Sequence, residues 1–311
     1  MITKINVGGK NVDWIDVIDP SQEDIEEISE KYGLPQHTIL DCLDPEHLPK
    51  FEKLNNNTYF LILRAYDETA PKDADTMQEL TRKLALFMSS TFMITIHRKD
   101  QPYLMAIREK WKSQEEPTST MNDIVADLFI GMIASYDAPI DRGLNQLELL
   151  EMGVFHVQGV KTFKIKEGYF LKRKAFVFRR IMRTSLDLLP KISSSFDIQT
   201  SRWQDVKENA EALFFYADEL TESVTSLINL HISMATQKTT EASHETNEVM
   251  RVLTIFSIFL LPLNVITGIY GMNFAKMPEL QWEYGYPFTI CVMLVFLIST
   301  YVWFKRKRWL K

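Results

Sequence analysis

Pro262 and Asn264 ask for explanation first, because they interrupt a run that is otherwise apolar from residue 252 to 269. Proline removes a backbone donor and bends a helix. An amide in the middle of so apolar a run turns toward a bundle interior or an aqueous path. Just upstream, residues 236–247 are polar on every face and contain no Pro or Gly, which describes a solvated helix. That segment is either an exposed linker or the wall of a water-filled pore mouth. The chemistry on offer is passage of an ion rather than bond-making. The sequence has no Gly-Lys-Ser/Thr phosphate loop, no nucleophile elbow and no Cys/His cluster with zinc spacing, which argues against an enzyme and against a nucleotide cofactor. His231 and His244 stand alone and read as solvated side chains.

The elements that must hold these residues are two apolar runs, 252–269 and 286–304, of about 18 and 19 residues. Each is long enough to cross a lipid bilayer. The tail Lys305-Arg306-Lys307-Arg308-Trp309-Leu310-Lys311 is densely basic and Arg251 precedes the first run, whereas Lys276 between the runs is offset by Glu279 and Glu283. The excess of cations at the outer flanks puts both termini in the cytoplasm and only the short loop outside. Trp282, Tyr284, Trp303 and Trp309 fall where interfacial aromatics belong. Two spans cannot enclose a pore, so a conducting path demands several copies of the chain.

Ahead of the membrane part, Val206, Ala210, Leu213, Ala217, Leu220, Val224, Leu227, His231 and Met234 recur in steps of four and three. This seam predicts packing against partner helices. Residues 121–152 and 162–190 read as two antiparallel helices with a turn near 153–159, and the next helix starts after Ser193-Ser194-Ser195. Before residue 115 the character is mixed. Strand-like runs occur at 12–18, 58–65, 84–88 and 92–97, and a helix starts at Ser21 with Asp24 and stops at Gly33. A second short helix follows Pro35. The formal charge of −6 argues against nucleic acid as the main partner. Cys42 and Cys291 lie on unlike segments, so a disulfide is not expected. The first residues lack the apolar core of a signal peptide.

The expected fold is therefore an α+β cytoplasmic N-terminal domain over 1–115, a long helical hairpin and stalk helix over 116–251, and a transmembrane domain over 252–311. The last comprises a first span near 252–269, an outer loop over 270–285, a second span near 286–304 and a basic cytoplasmic tail over 305–311.

The first run ends in Tyr270-Gly271-Met272-Asn273-Phe274, followed by Met277-Pro278-Glu279-Leu280. This resembles the signature of the CorA family of divalent-cation channels, placed just outside the first of two C-terminal spans. The stretch 246–254 and the basic tail resemble the family too, and the likeness is closest over 245–311. The resemblance implies a funnel-shaped homopentamer in the inner (cell) membrane of a bacterium or archaeon, conducting Mg²⁺, and Co²⁺ or Ni²⁺, inward down the membrane potential. Gly271, Met272 and Asn273 would form the selectivity filter. Asn247 would form an inner polar ring, with Met250, Leu253 and Leu261 as an apolar gate. Regulatory Mg²⁺ would bind between subunits at Asp41 and Asp205. The partners implied are further copies of the chain, the lipid bilayer and divalent cations. The sequence departs from the family in a link around 239–246 that is about seven residues longer, and in a less acidic hairpin around 144–166. The alternatives are a Zn²⁺-transporting relative, which Met272 argues against, and a membrane-anchored coiled-coil scaffold without transport, which the signature argues against.

Overall fold

Ser21 and Asp24 close a capping box at the start of the first helix. The Ser21 hydroxyl accepts from the Asp24 amide and the Asp24 carboxylate accepts from the Ser21 amide. Gly33, with φ of 64°, ends that helix in the left-handed conformation that glycine adopts at no steric cost. Such local signals fix element ends, and burial fixes the rest. The computed structural model describes residues 2–6, 13–54, 57–113, 121–155, 163–196, 201–274, 277–278 and 282–307. They divide into two compact units, Met1–His231 and Ile232–Lys311.

The first unit is built on strands β1 (Ile2–Asn6), β2 (Asp13–Ile18), β3 (Lys50–Lys53), β4 (Tyr59–Tyr66), β5 (Thr81–Met88) and β6 (Phe92–His97). They form one sheet in the order β1-β2-β6-β5-β4-β3, antiparallel except for the β2–β6 pair. Helices α1 (Gln22–Tyr32) and α2 (Gln36–Leu43) lie in the long crossover between β2 and β6. The short helix α3 (Met77–Leu80) leads into β5, and α4 (Pro102–Ser113) follows β6. Both faces of the sheet are covered, so central strands read as continuous apolar runs rather than alternating ones. Ile62, Ala85, Phe87 and Ile94 pack with Ile28 of α1 and Cys42 of α2. Leu61, Leu63, Leu84 and Leu86 of the opposite face join a larger core that extends into the helices beyond residue 120.

Those helices are α5 (Met121–Ala134), α6 (Asp137–Val154), α7 (Ile165–Phe196) and α8 (Ser201–Tyr270). The single helix expected over 121–152 is two. Proline at 139 has no amide to donate to the Ser135 carbonyl and its ring would clash there, so the chain breaks at Ser135–Tyr136. The break is docked on β4: the Ser135 hydroxyl accepts from the Tyr66 amide at 2.9 Å, and the Tyr136 hydroxyl donates to the Arg64 carbonyl at 2.9 Å. The second helix runs past Pro190 to Phe196, and the third begins at Ser201 rather than directly after Ser195. The expected turn lies largely in residues 156–162, outside the described ones.

The heptad seam of α8 faces inward. Val206, Ala210, Leu213, Ala217, Leu220, Val224 and Leu227 are all buried within the chain. A Cβ on Gly143 of α6 would come within 2.7 Å of Leu220 Cδ2, and the ring of Phe163 lies tilted against that of His231 with centroids 4.6 Å apart. The partner helices expected from the seam are thus this chain's own, and the seam gives no support to oligomerisation.

One charged cluster is sealed into the first unit. Asp16 on β2 is fully buried, accepts from the hydroxyl of Thr95, stands 3.1 Å from His97 Nε2 and pairs with Arg108 of α4. Trp14 Nε1 donates to the same Thr95 hydroxyl. Burial pushes the Asp16 carboxyl up. The hydrogen bonds from His97 and Thr95 and the nearby Arg108 charge outweigh it and hold the group below the usual carboxylate range.

In the second unit the C-terminal part of α8 and α9 (Gly285–Arg306) are, among the described residues, the two helices long and apolar enough to cross a membrane. Phe259 stacks on Phe304 with ring centroids 5.8 Å apart, and Phe304 is enclosed. Most other large apolar side chains here, Phe256, Leu260, Ile298 and Tyr301 among them, are exposed.

Candidate functional site

At 100° per residue, Asn247, Met250, Leu253, Ser257, Leu261, Asn264 and Gly268 fall within about 120° of the circumference of α8. One helix face thus carries both asparagines, a hydroxyl, a glycine and three apolar residues. Met250, Leu253 and Leu261 are 56%, 60% and 62% exposed, so nothing inside the chain claims them. The hydroxyls along this part of α8 are satisfied by their own helix. Thr254 donates to the Met250 carbonyl, Ser257 to Leu253 and Thr267 to Leu263. The side-chain amides of Asn247 and Asn264 make no hydrogen bond with a described residue and remain available to water, an ion or another chain. Pro262 lies within the helix and cannot donate to the Ile258 carbonyl, which frees one more oxygen in this stretch.

The helix ends by tightening. The Gly271 amide donates to the Thr267 carbonyl at 2.9 Å and the Met272 amide to the Ile269 carbonyl at 3.2 Å. A Cβ on Gly271 would stand 3.1 Å from the Thr267 oxygen, closer than side chains ordinarily tolerate. Asn273 follows at the mouth of this turn, exposed, with no described residue taking or giving it a hydrogen bond. Met277 and Pro278 are described, whereas Glu279 and Leu280 lie outside the described residues. So do Lys276, Trp309 and the last basic residues.

Asp41, the proposed regulatory ligand, sits near the end of α2 and is not free. Lys50 Nζ contacts its Oδ2 at 2.7 Å and His47 Nε2 stands 3.5 Å from Oδ1. Lys50 also reaches Glu52 at 2.8 Å, which in turn faces His37 at 3.4 Å. Partial burial works against the charged Lys50. Its hydrogen bonds to Asp41 and Glu52 prevail and raise its pKa. Asp205 is exposed in the first turns of α8, and no hydrogen bond or ion pair joins it to Asp41. No group of three or more His, Cys, Asp or Glu among the described residues is arranged to hold a metal. Lys50 and His47 carry no local signal in the sequence. They reach Asp41 only because β3 folds back beside α2.

Beneath the same helix end, Lys83 Nζ donates to the carbonyls of Asp41 and Asp44 at 2.6 and 2.5 Å. Burial pulls its pKa down to about 8, and Arg64 and Arg98 act in the same direction. The adjacent Cys42 thiol is pushed up to about 12 by burial.

A family model described as the CorA-like Mg²⁺ transporter protein matches residues 9–306. The chain belongs to that family. It is 25% identical over 308 residues to the cobalt/magnesium transport protein CorA of Thermotoga maritima, covering 96% of this chain and 83% of that one. Among solved structures, the CorA magnesium transporter from Methanocaldococcus jannaschii superposes with a TM-score of 0.57 at 20% identity, covering 98% of this chain and 94% of that one. Full-length CmaX gives a TM-score of 0.64 at 17% identity, covering 96% and 89%. These likenesses fix the fold: a mixed-sheet N-terminal part, long helices and two apolar C-terminal helices. A CorA-type chain of this kind belongs among divalent-cation transporters of the membrane, and the named relatives from Thermotoga maritima and Methanocaldococcus jannaschii are a transport protein and a transporter.

Proposed function

We propose that this chain assembles with copies of itself, as a homopentamer, into a channel that admits Mg²⁺, and with it Co²⁺ or Ni²⁺, down the inside-negative membrane potential. The observation that carries the reading is Gly271-Met272-Asn273 at the end of an apolar α8, with an Asn273 side-chain amide that no described residue engages, in a chain of the CorA family. A ring of neutral amide oxygens suits an ion that keeps its hydration shell and must still leave. Asn247 and Asn264 supply further polar rings along the same face. Met250, Leu253 and Leu261 supply apolar constrictions that block ions when dry. Two charges crossing the bilayer gain about 4.6 kcal/mol per 100 mV, so no nucleotide is needed and closure in response to internal Mg²⁺ has a clear use. Regulation is assigned to Asp41 of one subunit and Asp205 of a neighbour. Lys50 holds the Asp41 carboxylate in the single chain, so an arriving divalent ion has to displace that ammonium.

The test is Mg²⁺ uptake into proteoliposomes under an inside-negative potential, with no internal Mg²⁺ to close the channel. Uptake by the wild type that falls by more than about tenfold in Asn273→Ala is expected. Absence of uptake by a folded wild-type oligomer, with Mg²⁺, Co²⁺ and Zn²⁺ each tried, would sink the channel reading.

A further inference from the structure

Arg64 on β4 and Lys83 on β5 are direct cross-strand partners. Like charges so placed repel and destabilise a sheet. Here Arg64 is almost fully buried, and its guanidinium meets only neutral oxygens: the Thr81 hydroxyl and the carbonyls of Pro45 and His47, each at 2.9 Å. Lys83 likewise meets two carbonyls, and Arg98 donates to the Leu43 carbonyl at 3.3 Å. These three cations line a cavity of about 310 Å³ together with Arg82 and Lys99. No carboxylate is among its described lining residues, and Arg82, paired on one side with Asp67, keeps a buried Nε with no hydrogen-bond partner.

Capping of α2 explains part of this. The carbonyls at a helix C-terminus favour a cation, but the macrodipole there amounts to about half a charge. Among the described residues none of the four is ion-paired, and Asp44 and Glu46 act on Arg64, and Asp44 on Lys83, only from a distance. Four such cations exceed what that end can balance, and carbonyls solvate a charge without neutralising it. The rest of the wall sets the apolar Pro20, Leu43, Pro45 and Ile96 beside the polar Gln78, Thr81 and His97. The size falls at the lower end of small-molecule sites.

We propose that this cavity binds a phosphoryl anion, free or carried on a small organic molecule. Arg98 and Lys99 meet the phosphoryl oxygens at the entrance, with Lys83 and the Arg82 Nε–H deeper in. Pro20, Leu43 and Ile96 form the surface for any organic part. Arg and Lys give short charge-assisted hydrogen bonds to such oxygens. The site lies in the first unit and does not depend on the channel reading.

The experiment is calorimetric titration of the full-length detergent-solubilised protein in Mg²⁺-free buffer of matched ionic strength, with AMP in one arm and inorganic phosphate in the other. Saturable binding near one per chain is expected, weakened at least about tenfold in Arg98→Gln/Lys99→Gln. Both residues are exposed, so the variant should keep the wild-type circular dichroism and elution volume. Tighter binding of AMP identifies an organic phosphate as the ligand, and equal affinity identifies the phosphoryl group alone. Two results overturn the proposal. One is no saturable binding in either arm. The other is binding unchanged both in the double variant and in Lys83→Met. Where the first of these comes with loss of the oligomer in the double variant, the cations belong to a subunit contact instead.

Discussion

Leu86 on β5 and Leu260 on α8 are the same side chain, yet the first has no exposed surface and the second is 53% exposed. The contrast holds throughout their two units. The first closes two apolar cores around its sheet and seals Asp16 and Arg64 inside with partners. The second leaves nearly every large apolar residue outside and satisfies its hydroxyls within single helices. Water drives the first arrangement, because burial of apolar area is the main source of its stability. The second makes sense only where the surroundings are themselves apolar or are further copies of the chain.

The contrast breaks hardest at Asp16. Asp16→Ala takes the buried carboxylate from His97 and leaves Arg108 with Asp100 alone, and should cost about 3–5 kcal/mol, read as a lower unfolding midpoint. Its folded-state pKa lies below the ordinary value of 3.8, so its contribution is complete above that pH and fades as acid carries the protein down through the folded value. Wild-type stability should therefore fall in that acid window, and Asp16→Ala should lack this component. An unchanged acid profile in the variant would remove Asp16 from the account.

Next comes the leucine pair itself. Leu86→Ala should cost about 2–5 kcal/mol. Leu260→Ala, in the same detergent, should stay within about 0.5 kcal/mol, as at a surface. Equal losses would mean that Leu260 is enclosed by another copy. The glycines sharpen the point at smaller cost. A Cβ on Gly131 would meet Tyr103 Cδ2 at 2.7 Å, so Gly131→Ala should cost about 1–3 kcal/mol. Gly268 has open space around it, and Gly268→Ala should leave the single chain untouched. Any fall in assembly or flux in that variant would show helices meeting closely at Gly268.

The fold was legible where a segment's own pattern decides its structure. The apolar runs near 12–18, 58–65, 84–88 and 92–97 became β2, β4, β5 and β6, and the Ser21 box and Gly33 stop became the ends of α1. Illegible were β1 and β3, short edge strands whose pairing is set by distant partners, and the break at Ser135–Tyr136, which depends on Pro139 and on docking to β4. The inward seam of α8 misled because a heptad pattern does not say whose helix fills it. At the candidate site, Gly271–Asn273, Asn247 and the apolar residues of α8 were named from the family resemblance, and Pro262 and Asn264 from the apolar run they interrupt. The Lys50–Asp41 pair and the cation-lined cavity were not legible, since each joins residues that only the sheet brings together.

The two cysteines inherit the contrast between the units. Cys42 is buried, with its thiol held protonated up to about pH 12, and Cys291 is exposed on α9. The unaltered protein therefore carries one thiol per chain, Cys291, that its own chain leaves uncovered in an apolar helix, within reach of a membrane-permeant reagent. A fluorophore attached there needs no engineered cysteine, and stepwise photobleaching of single labelled particles counts the copies in the assembly directly.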